Sequence, residues 1–187
     1  MRICKLGEEV LRQVCQNVNT DEINDDFRSI CNEMFETMIS ANGVGLAAPQ
    51  IGLSKRFFVV IADDDVRRVF VNPQIIKTSE ETGPYEEGCL SIPGVYEEII
   101  RPLKVSVSAM DENGKHFNLD ADGLLARIIQ HEYDHLDGTL YIDRGDKSFK
   151  EKTEATFKKR AENAAKKAAK KAAKKASLQA KLAAKGK

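Results

Sequence analysis

His131 and His135 stand four residues apart in Gln130-His131-Glu132-Tyr133-Asp134-His135-Leu136-Asp137. On a helix that spacing puts both imidazoles on one face, one turn apart, where they can share one metal ion. Glu132, directly after the first histidine, can reach a water on that metal and act as a general base, the HExxH arrangement. Leu124 and Ile128 continue the same stripe upstream at steps of three and four, which supports a helix here. Asp120 or Asp122 can cap its start, and Gly138 stands where it should stop. A five-residue pattern also arises by chance, and a surface helix with two spare histidines is the bland alternative.

Two histidines leave a metal site incomplete, because a mononuclear catalytic centre usually takes three protein ligands and keeps one position open. Glu86-Glu87-Gly88-Cys89-Leu90-Ser91-Ile92-Pro93-Gly94 holds one of the four cysteines between glycines, in a segment that reads as a loop. A thiolate from Cys89 would complete the site. An acidic ligand from elsewhere in the chain is the competing choice. A third stretch, Gly43-Val44-Gly45-Leu46-Ala47-Ala48-Pro49-Gln50, is a small-residue loop that lets a ligand's backbone approach closely. It ends on Gln50, whose amide can donate to an oxyanion. The third glycine of a dinucleotide fingerprint is missing.

The elements that must position these residues are legible in outline. Thr20 can cap a helix running to about Ser40, with Phe27, Ile30, Cys31, Met34 and Met38 on its apolar face. Phe57–Ile61 is a buried strand, and Asp63–Asp65 a solvated acidic turn. Val69–Val71 and Gln74–Thr78 are strand candidates broken by Asn72-Pro73. Leu103–Met110 alternates as a half-exposed strand and turns at Asp111–Gly114 into a partner, Lys115–Leu119. Leu140–Ile142 is expected to close as a short strand. The fold class expected is α+β, with mixed or antiparallel strands around a central HExxH helix.

Charge divides the chain. Its formal net charge is zero, but residues 1–146 carry 14 Lys/Arg against 26 Asp/Glu, and residues 147–187 carry 15 against 3. An acidic catalytic domain, 1–146, followed by a basic tail, 147–187, is the expected organisation. No apolar run approaches membrane-spanning length, and the amino terminus lacks the apolar core of a signal peptide. Cys4, Cys15, Cys31 and Cys89 form no CxxC pair. A cytoplasmic setting is therefore expected, with no membrane or DNA partner.

The three stretches taken together, Gly43–Gln50, Glu87-Gly88-Cys89-Leu90-Ser91 and Gln130–Gly138, resemble the peptide deformylase family in their order and separations, over roughly residues 2–146. The short linkers are similar to those of its compact bacterial type. The resemblance implies that Cys89, His131 and His135 hold one divalent metal, with Glu132 moving the proton. It also implies that Gln50 and the Leu90 N–H steady the oxyanion formed from an N-formylmethionyl peptide. Formate and a peptide with a free amino terminus are the implied products. Val44, Gly45, Tyr85, Leu124, Arg127 and Ile128 are then expected to line the substrate site. The Cys/His/His donor set by itself suits zinc over iron. The resemblance instead implies Fe2+ as the native metal, with Zn2+ or Ni2+ as occupants of purified protein. A peptide-cleaving zinc enzyme would not need Cys89 or the Gln50 loop, and a non-catalytic RNA-binding protein would leave all three motifs idle.

The tail repeats Lys-Lys-Ala-Ala from Lys166 onward. Lys and Ala are strong helix formers, but like charges at i,i+4 weaken an isolated helix, so either a helix or a disordered arm is expected. By resemblance to bacterial deformylases that dock through a carboxy-terminal helix, its expected partner is the ribosome.

Overall fold

The computed structural model describes residues 1–185. By its internal contacts the chain divides into two compact units, Met1–Lys150 and Glu151–Lys187. The first is α+β. Its main sheet is antiparallel with strand order β1-β2-β3-β6-β7, built from β1 (Gly45–Ala47), β2 (Phe57–Ile61), β3 (Arg67–Thr78), β6 (Lys104–Met110) and β7 (His116–Asp122). A separate two-stranded hairpin pairs β4 (Thr82–Cys89) with β5 (Ile92–Pro102). Two helices, α1 (Asp25–Ser40) and α2 (Gly123–Leu136), complete the unit.

Both faces of the main sheet are covered at β2, which explains why that strand is apolar without interruption. Phe57 and Val59 pack with Phe27, Met34, Phe35 and Met38 of α1. Phe58 and Val60 point the other way and join Ile128, Ile129 and Leu136 of α2. β6 is buried on one face only, through Val105, Val107 and Ala109, and so alternates as expected.

Several expectations need correction. Thr20 does not begin the first long helix. Thr20–Glu22 is a single 3-10 turn, and α1 is capped by Asn24, whose side chain accepts the Phe27 N–H. Asn72-Pro73 does not break a strand either. β3 runs through it by a register shift between Val71 and Gln74, with Asn72 in a left-handed conformation. Tyr141–Asp143 is a 3-10 turn where a closing strand was expected. Asp122 occupies the N-cap position of α2 but makes no capping bond, and Asp120 instead accepts from Ser106 across the β6–β7 pair. The segment around Cys89, expected as a loop, is the end of β4. Part of the expected Gly43–Gln50 loop is edge strand β1, followed by a 3-10 turn over Ala48–Ile51.

The hairpin shares no strand pairing with the main sheet, so side chains fasten it to α2. Arg127 donates to the carbonyls of Gly83 (2.8 Å) and Ile99 (2.9 Å), and Gln130 donates to that of Pro102 (3.0 Å). α2 stops after Leu136, and Gly138 follows at φ +68°. A side chain there would also meet the Arg12 carbonyl at 2.6 Å, so glycine is required for both reasons.

Helix α3 spans Lys147–Lys185. The Asp146 carboxylate accepts the N–H groups of Ser148 (2.8 Å) and Phe149 (3.1 Å), satisfying donors at its first turn. Residues 158–173 are exposed throughout. The expected Lys/Ala repeat, 166–176, lies within α3, and its side chains past residue 173 lie outside the described residues. No helix among the described residues is long and apolar enough to cross a membrane.

Candidate metal centre

α2 brings His131 and His135 together with ring centroids 5.2 Å apart, and β4 delivers Cys89 to the same point. The candidate ligand atoms of these three residues all lie within 4.8 Å of one another. The Cys89 Sγ stands 3.3 Å from His135 Nε2. Ligands around a tetrahedral ion at ordinary zinc–sulfur and zinc–nitrogen distances stand about 3.6 Å apart, so this edge already has metal-binding dimensions. Among the described residues no carboxylate takes part in the cluster, so the third candidate donor is the thiol.

The surroundings prepare each ligand. His131 Nδ1 is 2.8 Å from Glu87 Oε2, which fixes the ring and leaves Nε2 for the cluster. Burial pulls the His131 pKa down, but hydrogen bonding to Cys89 and Glu87 outweighs it and holds the pKa well above the ordinary value. Burial, reinforced by the charge on His131, holds His135 well below its ordinary pKa, in the neutral form that ligates. Buried donors of this kind, with a thiol and an imidazole already converging, fit a divalent transition metal.

Glu132 is 4% exposed, and its Oε2 has no hydrogen-bond partner among the described residues. Burial pushes its pKa up to about 7. Gly45 makes room for it: a Cβ at position 45 would sit 2.8 Å from Glu132 Cδ and 2.8 Å from Ile128 Cγ2. Gln50 is oriented through its side-chain oxygen Oε1, which accepts the Ala47 N–H at 2.8 Å. Its amide nitrogen then points at Cys89 Sγ (3.4 Å) and Ser91 Oγ (3.2 Å).

A cleft of about 600 Å³ opens onto this cluster. All six residues expected in the substrate site line it: Val44, Gly45, Tyr85, Leu124, Arg127 and Ile128. Val44 and Tyr85 form its rim, 46% and 48% exposed, while Ile128 lies deep. Leu90 lines it as well. Arg127 is buried, with its donors bound to Glu87 and to two hairpin carbonyls. It meets the cleft chiefly by placing its guanidinium against the Tyr85 ring, 5.5 Å from the centroid.

A buried charge network behind the ligands was not anticipated. Arg101 binds both oxygens of Glu87 (2.6 and 3.0 Å) and reaches Asp134 (2.7 Å), which Arg144 clamps from the other side. Reading the hairpin as strand would have exposed the signal, since residues i and i+2 share a face and Glu87 precedes Cys89 by two.

The family model for polypeptide deformylase matches residues 1–151. The chain belongs to the polypeptide deformylase family. A peptide deformylase of Treponema pallidum (strain Nichols) is 53% identical over 146 residues, 78% of this chain and 88% of the relative. Peptide deformylase 1 of Clostridium perfringens is 52% identical over 138 residues, covering 73% and 91%. Among solved structures, a Synechococcus elongatus peptide deformylase in complex with actinonin superposes with a TM-score of 0.76 at 45% identity, covering 81% of this chain and 82% of that one. The deformylase of Legionella pneumophila gives 0.79 at 38% identity, covering 88% and 96%.

Glu87 makes a pH-dependent contribution to this deformylase fold. Burial alone would raise its pKa, but hydrogen bonds from His131 and Arg101 pull it from 4.5 down to about 2. The folded value lies below the unfolded one, so the stabilisation is fully present above about pH 4.5 and is lost as pH falls through about 2. The shift corresponds to about 3 kcal/mol. Urea unfolding of chelator-treated protein should show wild type well above Glu87→Gln at pH 6, with the gap closing toward pH 2. A gap independent of pH would contradict the ionic account.

Proposed function

We propose that Cys89, His131, His135, Glu132, Gln50 and Leu90 carry out deformylation. The reaction is hydrolysis of the N-formyl group of N-formylmethionyl nascent peptides, with release of formate. The convergence of a half-buried thiol and two buried imidazoles, with Cys89, His131 and the Glu132 carboxylate lining one cleft, in a chain of this family, carries the reading. Cys89, His131 and His135 would hold a divalent cation, which would supply Lewis acidity toward the formyl carbonyl and water. Glu132 accepts the proton of the attacking water at its free Oε2 and returns it to the amine as the C–N bond breaks. The Gln50 amide and the Leu90 N–H donate to the oxygen as negative charge develops there.

The methionine side chain fits the apolar part of the cleft, against Leu124, Ile128, Val44 and Tyr85. β1 is the terminal strand of its sheet, paired only with β2, and its outer edge can take the substrate backbone as an added strand. Fe2+ is the proposed native metal, with Zn2+ or Ni2+ able to replace it, because thiolate and imidazole accept all three. The proposed setting is the cytoplasm.

The deciding assay measures formate release from formyl-Met-Ala-Ser beside cleavage of the unformylated peptide. Formate release alone is expected. Cleavage of the unformylated peptide bond would instead identify a peptidase.

Residues 1–146 are proposed as the catalytic domain and 147–187 as a ribosome-directed tail. Exposed lysines on α3, among them Lys158, Lys159, Lys166, Lys167, Lys170 and Lys171, suit a phosphate surface. Truncation after Lys158 should leave turnover of a short formyl-peptide nearly unchanged. It should weaken co-sedimentation with ribosomes, and full-length binding should fall steeply with salt because bound lysines displace counterions. Equal sedimentation of both proteins at every salt concentration would make the tail a solvated appendage.

A further inference from the structure

The first residues of the chain form a strap over the turn that follows Cys89. Cys4 N–H donates to the Gln50 carbonyl at 2.7 Å, Lys5 Nζ to the Leu90 carbonyl at 2.7 Å, and Leu6 N–H to the Ser91 carbonyl at 3.0 Å. Three consecutive residues therefore hold Gln50, Leu90 and Ser91. Gln50 and Leu90 are the two oxyanion donors proposed above, and Ser91 Oγ accepts from the Gln50 amide. The strap is itself braced. Glu8 accepts the Lys5 backbone N–H (2.7 Å) and pairs with Arg2 (2.6 Å), while the side chains of Cys4 and Leu6 are buried.

Two of the three bonds are backbone bonds that almost any sequence could make. The Lys5 side chain is the specific one. The turn it grips, Leu90-Ser91, closes the hairpin beyond its last pair, Cys89↔Ile92, just after a register shift between Gly88 and Cys89. No strand partner sets the orientation of the Leu90 peptide groups there. The Leu90 side chain is held from one side by Gly43, where a Cβ would come within 2.7 Å of Leu90 Cδ1. Its carbonyl is held from the other by the Lys5 ammonium, a charged donor at an exposed contact. Lys5 also lines the cleft, although it is remote from the three motifs in sequence.

We propose that Lys5 is a positioning residue for deformylation: by gripping the Leu90 carbonyl it holds the Cys89–Ser91 turn with the Leu90 N–H directed at the developing oxyanion. The inference rests on the deformylase reading. A donor aimed at transition-state charge affects kcat with little effect on ground-state binding. Removing an oxyanion donor outright typically costs a hundredfold or more, so loosening one should cost about tenfold.

The test compares wild type, Lys5→Met and Lys5→Arg, each loaded with the same metal, on formyl-Met-Ala-Ser. Lys5→Met should lower kcat by about tenfold and leave KM within about twofold, with metal content and thermal midpoint unchanged. Lys5→Arg keeps a cationic donor and should restore most of the rate. A Lys5→Met enzyme with wild-type kcat would overturn the proposal. So would a loss that Lys5→Arg does not repair, or one that tracks loss of metal. A metal-loaded wild type that releases no formate would overturn the deformylase reading itself and this inference with it, so the two failures are told apart.

Discussion

Glu132→Gln should lower kcat for formyl-peptide hydrolysis by at least about a hundredfold, the scale of positioned acid–base catalysis, while metal content stays near wild type. Glutamine matches the shape of glutamate and fills the same space beside Gly45, so the ligand cluster is left undisturbed. What it lacks is the ability to take a proton from water and deliver it to the departing amine. The setting of Glu132 suits that work. It is buried, its Oε2 has no hydrogen-bond partner among the described residues, and burial brings its pKa to about 7, where a base can both accept and return a proton. Formate kinetics and metal analysis on one preparation check the prediction. Retained turnover would mean that another group moves the proton.

Cys89→Ala, His131→Ala and His135→Ala should each lose metal and activity together. Each removes one of the three candidate donors found among the described residues, and the loss in metal affinity should exceed the roughly tenfold to hundredfold that outer-shell changes alone bring. Cys89→Ala is the most informative of the three, because the thiol lies on the hairpin and both histidines lie on α2. Elemental analysis after dialysis, set beside turnover, measures the effect. Full occupancy with normal turnover in Cys89→Ala would remove Cys89 from the centre and return the peptide-cleaving zinc enzyme as the better reading.

Local sequence determined a good part of this protein. The four-residue step between His131 and His135 is a helical step, so the two rings share a face as soon as α2 forms. The unbroken apolar run of Phe57–Ile61 and the alternation of Lys104–Met110 follow directly from how many faces of each strand are covered. Cys89 and Gln50 were picked out by residue type and by glycine-rich neighbours. The family resemblance supplied their roles, because no local pattern says that two segments about forty residues apart will meet.

Tertiary structure decided the rest. Thr20 looked like a cap, yet Asn24 does the capping, because the start of a helix depends on where its apolar face can first pack. The stretch around Cys89 looked like a loop because its glycines and acids weaken strand propensity. It is strand as far as Cys89 because it pairs with β5, and Arg101, Arg127 and His131 bind the buried Glu87 from outside β4. Arg127 carried the pattern of a pocket residue, but its donors are spent fastening the hairpin to α2. Lys5 carried no signal at all, since its partner, the Leu90 carbonyl, is a backbone group 85 residues away. Periodicity and residue type act over one or two turns of chain and are written in the sequence. Charge pairing and hydrogen bonding between distant segments exist only once the chain has folded, and here such bonds tie Glu87 to His131 and Lys5 to Leu90.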